Sequence, residues 1–196
     1  MRIDLDILQQ WIRPSSRVLD LGCGNGSLLA ELTVQKKVTG YGIEIDHEKI
    51  TQCIGKRVNV IEQNLDEGLK NFDGGSFDTV VMSQTLQAVR YPDLVLEEML
   101  RVGSECIVSF PNFGHWRSRF YLGLLGRMPV SKFLPHTWYD TPNIHFCTIE
   151  DFEDFCRDKK IRILNRRYVT AGRDDDVLSV HWPNMMAEMA IYRLTR

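Results

Sequence analysis

Apolar and polar residues follow a repeating rhythm between residues 17 and 111. Short, largely apolar runs give way to stretches with apolar positions at helical spacing. "RVLDLG" at 17–22 has apolar Val18, Leu19 and Leu21 on both faces, as a buried parallel strand requires. "SLLAELTVQ" then predicts a helix, and "VTGYGIEID" a second strand. "HEKITQCIGK" carries Ile50, Cys53 and Ile54 on one face of a second helix. "VNVIEQN" and "FDTVVMSQ" read as the third and fourth strands, the latter introduced by the turn signal Asp73-Gly74-Gly75-Ser76. "PDLVLEEMLRVG" is a helix with Gly103 as its C-terminal stop, and "ECIVSFPN" a fifth strand. Such alternation calls for a parallel sheet with helices on both faces. A short helix is expected at 3–13, before Pro14.

The rhythm breaks at residue 112. Residues 112–147 are rich in aromatics and contain Pro129, Pro135 and Pro142, so an irregular excursion with one helical piece near 115–126 is expected. Regular structure resumes at "TIEDFEDFCRDK", where Thr148 and Asp151 have capping-box spacing. "IRILNRRYV" and "MMAEMAIYRL" read as two closing strands. The charge run Arg173-Asp174-Asp175-Asp176 between them reads as a solvated turn rather than a metal site.

Composition narrows the class. The 196 residues suit one domain, 1–196, with the excursion at 112–147 as its lid or partner-binding element. A hydrophobic fraction of 43% and a charged fraction of 26% are ordinary globular values. A net charge of −2 argues against a nucleic-acid footprint, and no run approaches the roughly 18 apolar residues that span a bilayer. The N-terminus lacks a secretion signal's apolar core. Five scattered cysteines without a C-x-x-C pair point to reduced thiols in the cytoplasm, with no zinc site.

The candidate chemistry lies in "VLDLGCGNGSLLAEL" at 18–32. Asp20 precedes three alternate glycines, Gly22, Gly24 and Gly26, on a strand–turn–helix unit. Glycine lets the chain turn sharply and brings bare backbone close to a ligand. No Gly-Lys-Ser/Thr follows, so this is not a P-loop, and G-x-G-x-G departs from the dinucleotide spacing. Glu44, 22 residues beyond Gly22, is placed to accept hydrogen bonds from adenosine ribose hydroxyls. That spacing suits NAD and S-adenosylmethionine alike; Asp20 separates them. A carboxylate there repels a pyrophosphate and attracts an ammonium or a sulfonium. Asp66, after the third strand, is either an acceptor for the adenine amino group or a helix cap.

"VLDLGCGNGSLL", "GYGIEID", "NLDEGL" and "FDTVVMSQTLQAV", in that order, resemble the class I S-adenosylmethionine-dependent methyltransferases. The resemblance implies a Rossmann-like α/β fold with a seven-stranded sheet, mostly parallel, its last strand antiparallel. It implies that Asp20, Gly22, Cys23, Gly24 and Gly26 hold the methionine part of the cofactor. Glu44 and Ile45 would take the ribose side and Asp66 the adenine, and "MSQTLQAV", beginning near Ser83, would line the other side. Cys23 looks like a small loop filler, not a nucleophile. Beyond the fifth strand, "SFPNFGHWRSRFYLGLLGRMPVSK" and "PHTWYDTPNIHFCTIEDF" resemble the MetW family of methionine biosynthesis. That resemblance implies an association with homoserine O-acyltransferase, acetyl or succinyl, as accessory or regulatory subunit. The alternative is a free-standing methyltransferase acting on a small carboxylated metabolite. Methyl transfer needs a base only if the acceptor must lose a proton, so a missing catalytic motif does not exclude it. Of the polar and aromatic residues at 111–145, His115 and Arg117 are the first catalytic candidates. With only about 16 residues before the first strand, the excursion or a partner must cover the site, or the site stays open.

Overall fold

A computed structural model describes residues 3–170, the backbone of 173–174, and residues 180–196. In chain order it contains α1 (Ile3–Trp11), β1 (Arg17–Leu21), α2 (Ser27–Lys36), β2 (Thr39–Glu44), α3 (His47–Gly55) and β3 (Val60–Glu62). There follow β4 (Phe77–Ser83), α4 (Pro92–Val102), β5 (Gly103–Pro111), α5 (Trp116–Leu125) and α6 (Ile149–Asp158). The chain closes with β6 (Arg162–Thr170), β7 (Arg173–Asp174), α7 (Pro183–Met186) and β8 (Met189–Thr195).

One twisted sheet runs in the order β3-β2-β1-β4-β5-β8-β6-β7. β1 to β5 pair in parallel, and β8 is inserted antiparallel between β5 and β6. The expected seven strands are present, and a two-residue β7 extends the edge. The run Arg173–Asp174, expected as turn, is therefore paired backbone; Asp175 and Asp176 lie outside the described residues.

Side chains alternate across the sheet, so neighbours in one strand enter different cores. Val18, Val81, Ile107 and Ile191 join Ile7 and Leu8 of α1, Leu28 and Leu32 of α2, and Cys53 of α3. Leu19, Val80, Val108 and Tyr192 join Leu96 and Met99 of α4 and Phe152 of α6 on the other face. Phe110, Phe152 and Tyr192 form an aromatic knot with ring centroids 4.7–6.0 Å apart.

Three boundaries depart from expectation. Gly103 does not end α4 in a left-handed turn: its φ is −107° and it starts β5 directly. A Cβ there would lie 2.6 Å from Val80 Cγ2, so glycine serves close strand packing. Asp46 leaves β2 and caps α3, its side chain accepting from the Glu48 and Lys49 amides. Met185 and Met186 belong to α7 rather than to the last strand, since Pro183 suits a first helical turn. The capping box at α6 forms as read: the Thr148 amide donates to Asp151 Oδ2 at 2.9 Å, and the Asp151 amide to Thr148 Oγ1 at 3.2 Å.

The excursion leaves and rejoins the sheet at one neck. The Phe113 amide donates to the Cys147 carbonyl at 3.1 Å. Asn112, 2% exposed, holds the neck with its whole side chain. Its Nδ2 donates to the Asn184 and Ala187 carbonyls at 3.1 and 2.8 Å. Its Oδ1 accepts from the Gly114 and Ile149 amides at 3.0 and 3.3 Å. Each buried group orphaned by its loss costs about 1–3 kcal/mol. Asn112→Ala is expected to lower stability by about 2–4 kcal/mol in urea denaturation; a loss under about 0.5 kcal/mol contradicts the role given to this side chain.

Candidate functional site

The glycine-rich turn is built by backbone bonds to β2. The Gly22 and Cys23 amides both donate to the Ile43 carbonyl, at 2.9 and 3.0 Å. Gly22, Gly24 and Gly26 all have positive φ, between 57° and 71°, where a side chain is strained. Space differs among them. A Cβ on Gly22 would lie 2.5 Å from Thr85 Oγ1, and one on Gly26 2.9 Å from Cys53 Sγ. A Cβ on Gly24 would meet nothing within 4 Å. Gly24 is thus bare backbone facing open space, the cradle a ligand needs. Cys23 packs over β2, where a Cβ on Gly42 would come within 2.3 Å of its sulfur. Its Sγ lies 3.9 Å from that of Cys53, and burial first, then nearby Asp20, holds its thiol protonated.

Glu44 locks this turn to β2. Its Oε2 accepts from the Gly24 amide at 2.8 Å, and its Oε1 from the Ile45 and Asp46 amides at 2.9 and 3.1 Å. A carboxylate offers about four acceptor positions, so about one remains for a ligand hydroxyl. Asp20 is 3% exposed at the end of β1.

These groups border one crevice of about 1180 Å³ at the carboxyl ends of β1, β2 and β4. It brings together Asp20, Gly22, Cys23, Gly24, Glu44, Ile45, Asp66 and Ser83. Gly26 is not part of its wall but seats α2 against Cys53. Asp66 sits in a single 3₁₀ turn, Leu65–Glu67, that Asn64 caps. It is no cap itself: its Oδ1 accepts from the Arg90 amide at 2.8 Å, tying this turn to the one before α4. Six carboxylates line the crevice (Asp20, Glu31, Glu44, Asp46, Glu48, Asp66) against one ammonium, that of Lys49.

Sequence reasoning missed part of the wall. Leu5 of α1 borders the crevice, and buried Asp4 beside it accepts from Ser83 Oγ at 3.0 Å and Gln84 Nε2 at 3.2 Å. Pro142 and Asn143 of the excursion close another side. Nothing local marks these residues, because their approach is set by how α1 and the excursion pack. Thr85 lies in the segment "MSQTLQAV" expected on the other side; it borders the crevice with Ser83, Gln84, Ala88 and Val89 and packs against Gly22.

His115 and Arg117 lie elsewhere. They line a second cavity of about 320 Å³ with Asn112, Trp116, Tyr121, Lys132, Phe133 and Glu188. His115 caps α5, its Nδ1 accepting from the Arg117 amide at 3.4 Å. Burial is the main reason its pKa falls below the ordinary histidine value; Glu188 opposes this and Arg117 reinforces it. The described residues lining the large crevice include no histidine and no aromatic ring. Among the described residues no group of three or more His, Cys, Asp or Glu could hold a metal, and no helix is long and apolar enough to cross a membrane.

This sheet order, with a glycine turn after the first strand and an acid ending the second, defines a class I S-adenosylmethionine-dependent methyltransferase fold. Solved structures agree. A methyltransferase from Thermotoga maritima, described as a possible histamine N-methyltransferase, matches with a TM-score of 0.67 at 17% identity, covering 98% of this chain and 86% of its own. One from Mesorhizobium loti matches with a TM-score of 0.71 at 13% identity, covering 99% and 98%. Within that class the chain belongs to the MetW family: the model described as methionine biosynthesis protein MetW matches residues 2–194. It is 32% identical to the bifunctional methionine biosynthesis protein MetXA/MetW of Rhodopirellula baltica, along its whole length but over only 33% of that relative. It is also 29% identical to a ubiquinone biosynthesis O-methyltransferase of Nitrosococcus oceani, over 76% of this chain and 64% of that one.

Two expectations concern the site's construction. Gly24→Ala carries only left-handed strain, roughly 1–2 kcal/mol, whereas Gly22→Ala adds the clash with Thr85. Gly22→Ala is therefore expected to be the more destabilising in urea denaturation, and adding Thr85→Ala to recover part of the loss; equal losses without recovery would contradict the geometry. The second concerns pH. An unfolded histidine takes up protons near 6.5, and folded His115 only at lower pH. Its neutral form therefore adds stability that is present above about pH 6.5 and fades as the pH falls towards its folded value. His115→Asn keeps a capping side chain and is expected to flatten the pH–stability curve below 6.5; an unchanged curve would show that His115 does not carry this dependence.

Proposed function

We propose that the chain binds S-adenosylmethionine in the acidic crevice and serves methionine biosynthesis as an accessory or regulatory subunit of homoserine O-acyltransferase. The charge of the crevice carries the first half. Six carboxylates facing one ammonium favour a ligand with cationic centres and disfavour a pyrophosphate. When bound, S-adenosylmethionine supplies an activated methyl group on a sulfonium. Asp20 and the backbone around Gly24 would hold its methionine part, and Glu44 the ribose through its remaining acceptor position. Asp66, with Oδ1 engaged by Arg90, would offer Oδ2 to the adenine amino group, and Ile45 and Ser83 would flank the nucleoside.

The second half rests on the family and on the fused relative, whose name joins MetXA to MetW in one polypeptide. The site's make-up favours an accessory role over catalysis. The candidate acid–base groups His115 and Arg117 border a separate cavity, and the crevice wall carries carboxylates, amides, the Lys49 ammonium, the Cys23 thiol and the hydroxyls of Ser27, Ser83 and Thr85. Five free cysteines, four of them buried, suit the reducing cytoplasm. A free-standing methyltransferase acting on a small metabolite is the second reading. It is favoured by a crevice larger than the roughly 300–1,000 Å³ usual for one small ligand.

Calorimetric titration tests the ligand. S-adenosylmethionine is expected to bind and NAD not to, and Glu44→Ala to weaken binding by about 1.5–3 kcal/mol. Binding of NAD alone would sink the assignment. Acyl transfer by homoserine O-acyltransferase, assayed with and without this chain and S-adenosylmethionine, tests the role. A rate that responds to neither removes the accessory reading. Label passing from the cofactor to a metabolite would establish the second reading.

A further inference from the structure

Helix α5 is apolar on most sides yet buries only Ser118. A helix apolar all round belongs in an interior, but Phe120 is 46% exposed and Leu124 74%. The surface continues beyond the helix. Phe120 and Tyr121 share the smaller cavity with Pro129 and Val130, and Pro129 shares a small cleft with Trp138 and Phe146. Trp138 and Tyr139 are 75% and 73% exposed, their rings packed edge to face at 5.6 Å. Such a contiguous apolar patch marks an interaction site, and exposed Trp and Tyr are the residues that dominate protein interfaces.

We infer that this face, α5 with residues 127–146, is where homoserine O-acyltransferase docks; the inference rests on the accessory-subunit reading above. Two observations select the occupant. This whole chain matches one third of the longer MetXA/MetW relative, whose name joins both parts in one polypeptide, and such a fusion holds them at high effective concentration. The face is also basic: residues 112–147 carry Arg117, Arg119, Arg127 and Lys132 against Asp140, a net +3 in a chain of net −2. A second copy would set like charges against each other across a two-fold axis. A lipid surface would suit a helix lying flat, but half of this face is irregular loop carrying Trp138 and Tyr139. An acyltransferase surface with an apolar centre and an acidic rim fits.

The test is a binding titration of the full chain with the acyltransferase of the same organism. It uses Leu124→Asp and Trp138→Ala on the face and Val34→Asp on α2, 83% exposed, as control. Wild type and Val34→Asp are expected to bind alike. Each face variant should bind at least about tenfold more weakly while its affinity for S-adenosylmethionine is unchanged. If wild type binds and both face variants bind equally well, the docking face is wrong and the accessory reading stands. If wild type does not bind, the accessory reading falls and the assignment of this face with it. A chain that sediments alone as a dimer split by Leu124→Asp, or that floats with anionic phospholipid vesicles until Leu124→Asp is introduced, overturns the occupant named here.

Discussion

The carboxylate of Glu44 is the constraint from which the site follows. Three backbone amides, those of Gly24, Ile45 and Asp46, converge on its two oxygens within 2.8–3.1 Å. One residue thereby fixes the glycine turn after β1 and the exit of β2 relative to each other. Charge-assisted bonds of this kind are about twice as strong as neutral ones. Removing the carboxylate would leave three amides without their acceptor and free the turn whose bare backbone borders the crevice. The side chain proposed to hold the ribose is therefore also the structural lock of the turn, so Glu44→Ala would loosen the crevice wall as well as remove a ligand acceptor.

The rest of the crevice concentrates negative charge around that lock. Like charges a few ångströms apart repel, by about 1 kcal/mol in water and more where solvent is thinned. Part of this is offset locally. The amides of Glu48 and Lys49 hold Asp46 below the usual carboxylate range, and Arg90 donates its amide to Asp66. What remains is a net negative field, built from the ends of β1 and β2, the start of α3, the middle of α2 and the 3₁₀ turn at Asp66 rather than from any single loop.

The legible parts of the fold were those whose physics is local. β1, the three glycines, Glu44 and the capping box at Thr148 each carry a short-range signal in residue type and spacing, while the contacts of Glu44 with Gly24 and of Gly22 with Thr85 are set by the fold. The order of the sheet and the antiparallel β8 came through the family resemblance, since pairing partners lie far apart in the chain. What escaped was set by packing. α1 looks like a short amphipathic helix; that Leu5 reaches the crevice depends on Ile7 and Leu8 entering the core shared with α2. His115 and Arg117 follow the fifth strand as expected, yet the turn at Asn112 carries them into a separate cavity. Met185 reads as strand by composition, but Pro183 and the Trp182 carbonyl, which accepts from the Met185 and Met186 amides, make a helical turn there.

The excursion joins the two halves of the functional reading physically. Its residues Pro142 and Asn143 stand in the crevice wall, and Trp138 and Tyr139 stand a few positions earlier on the exposed face. Between wall and neck, the Ile144 and His145 amides both donate to the Gln87 carbonyl at 2.9 and 3.0 Å, and the His145 ring pairs with the Arg90 carbonyl. Arg90 is in turn bound to Asp66 through its amide. A partner on the aromatic face, as proposed, would contact the segment that also borders the crevice. Any effect it has on the ligand's affinity must be returned, by thermodynamic linkage, as an equal effect of the ligand on the partner. On the proposed accessory reading, this connected segment is where a ligand in the crevice and a partner on the face would influence each other.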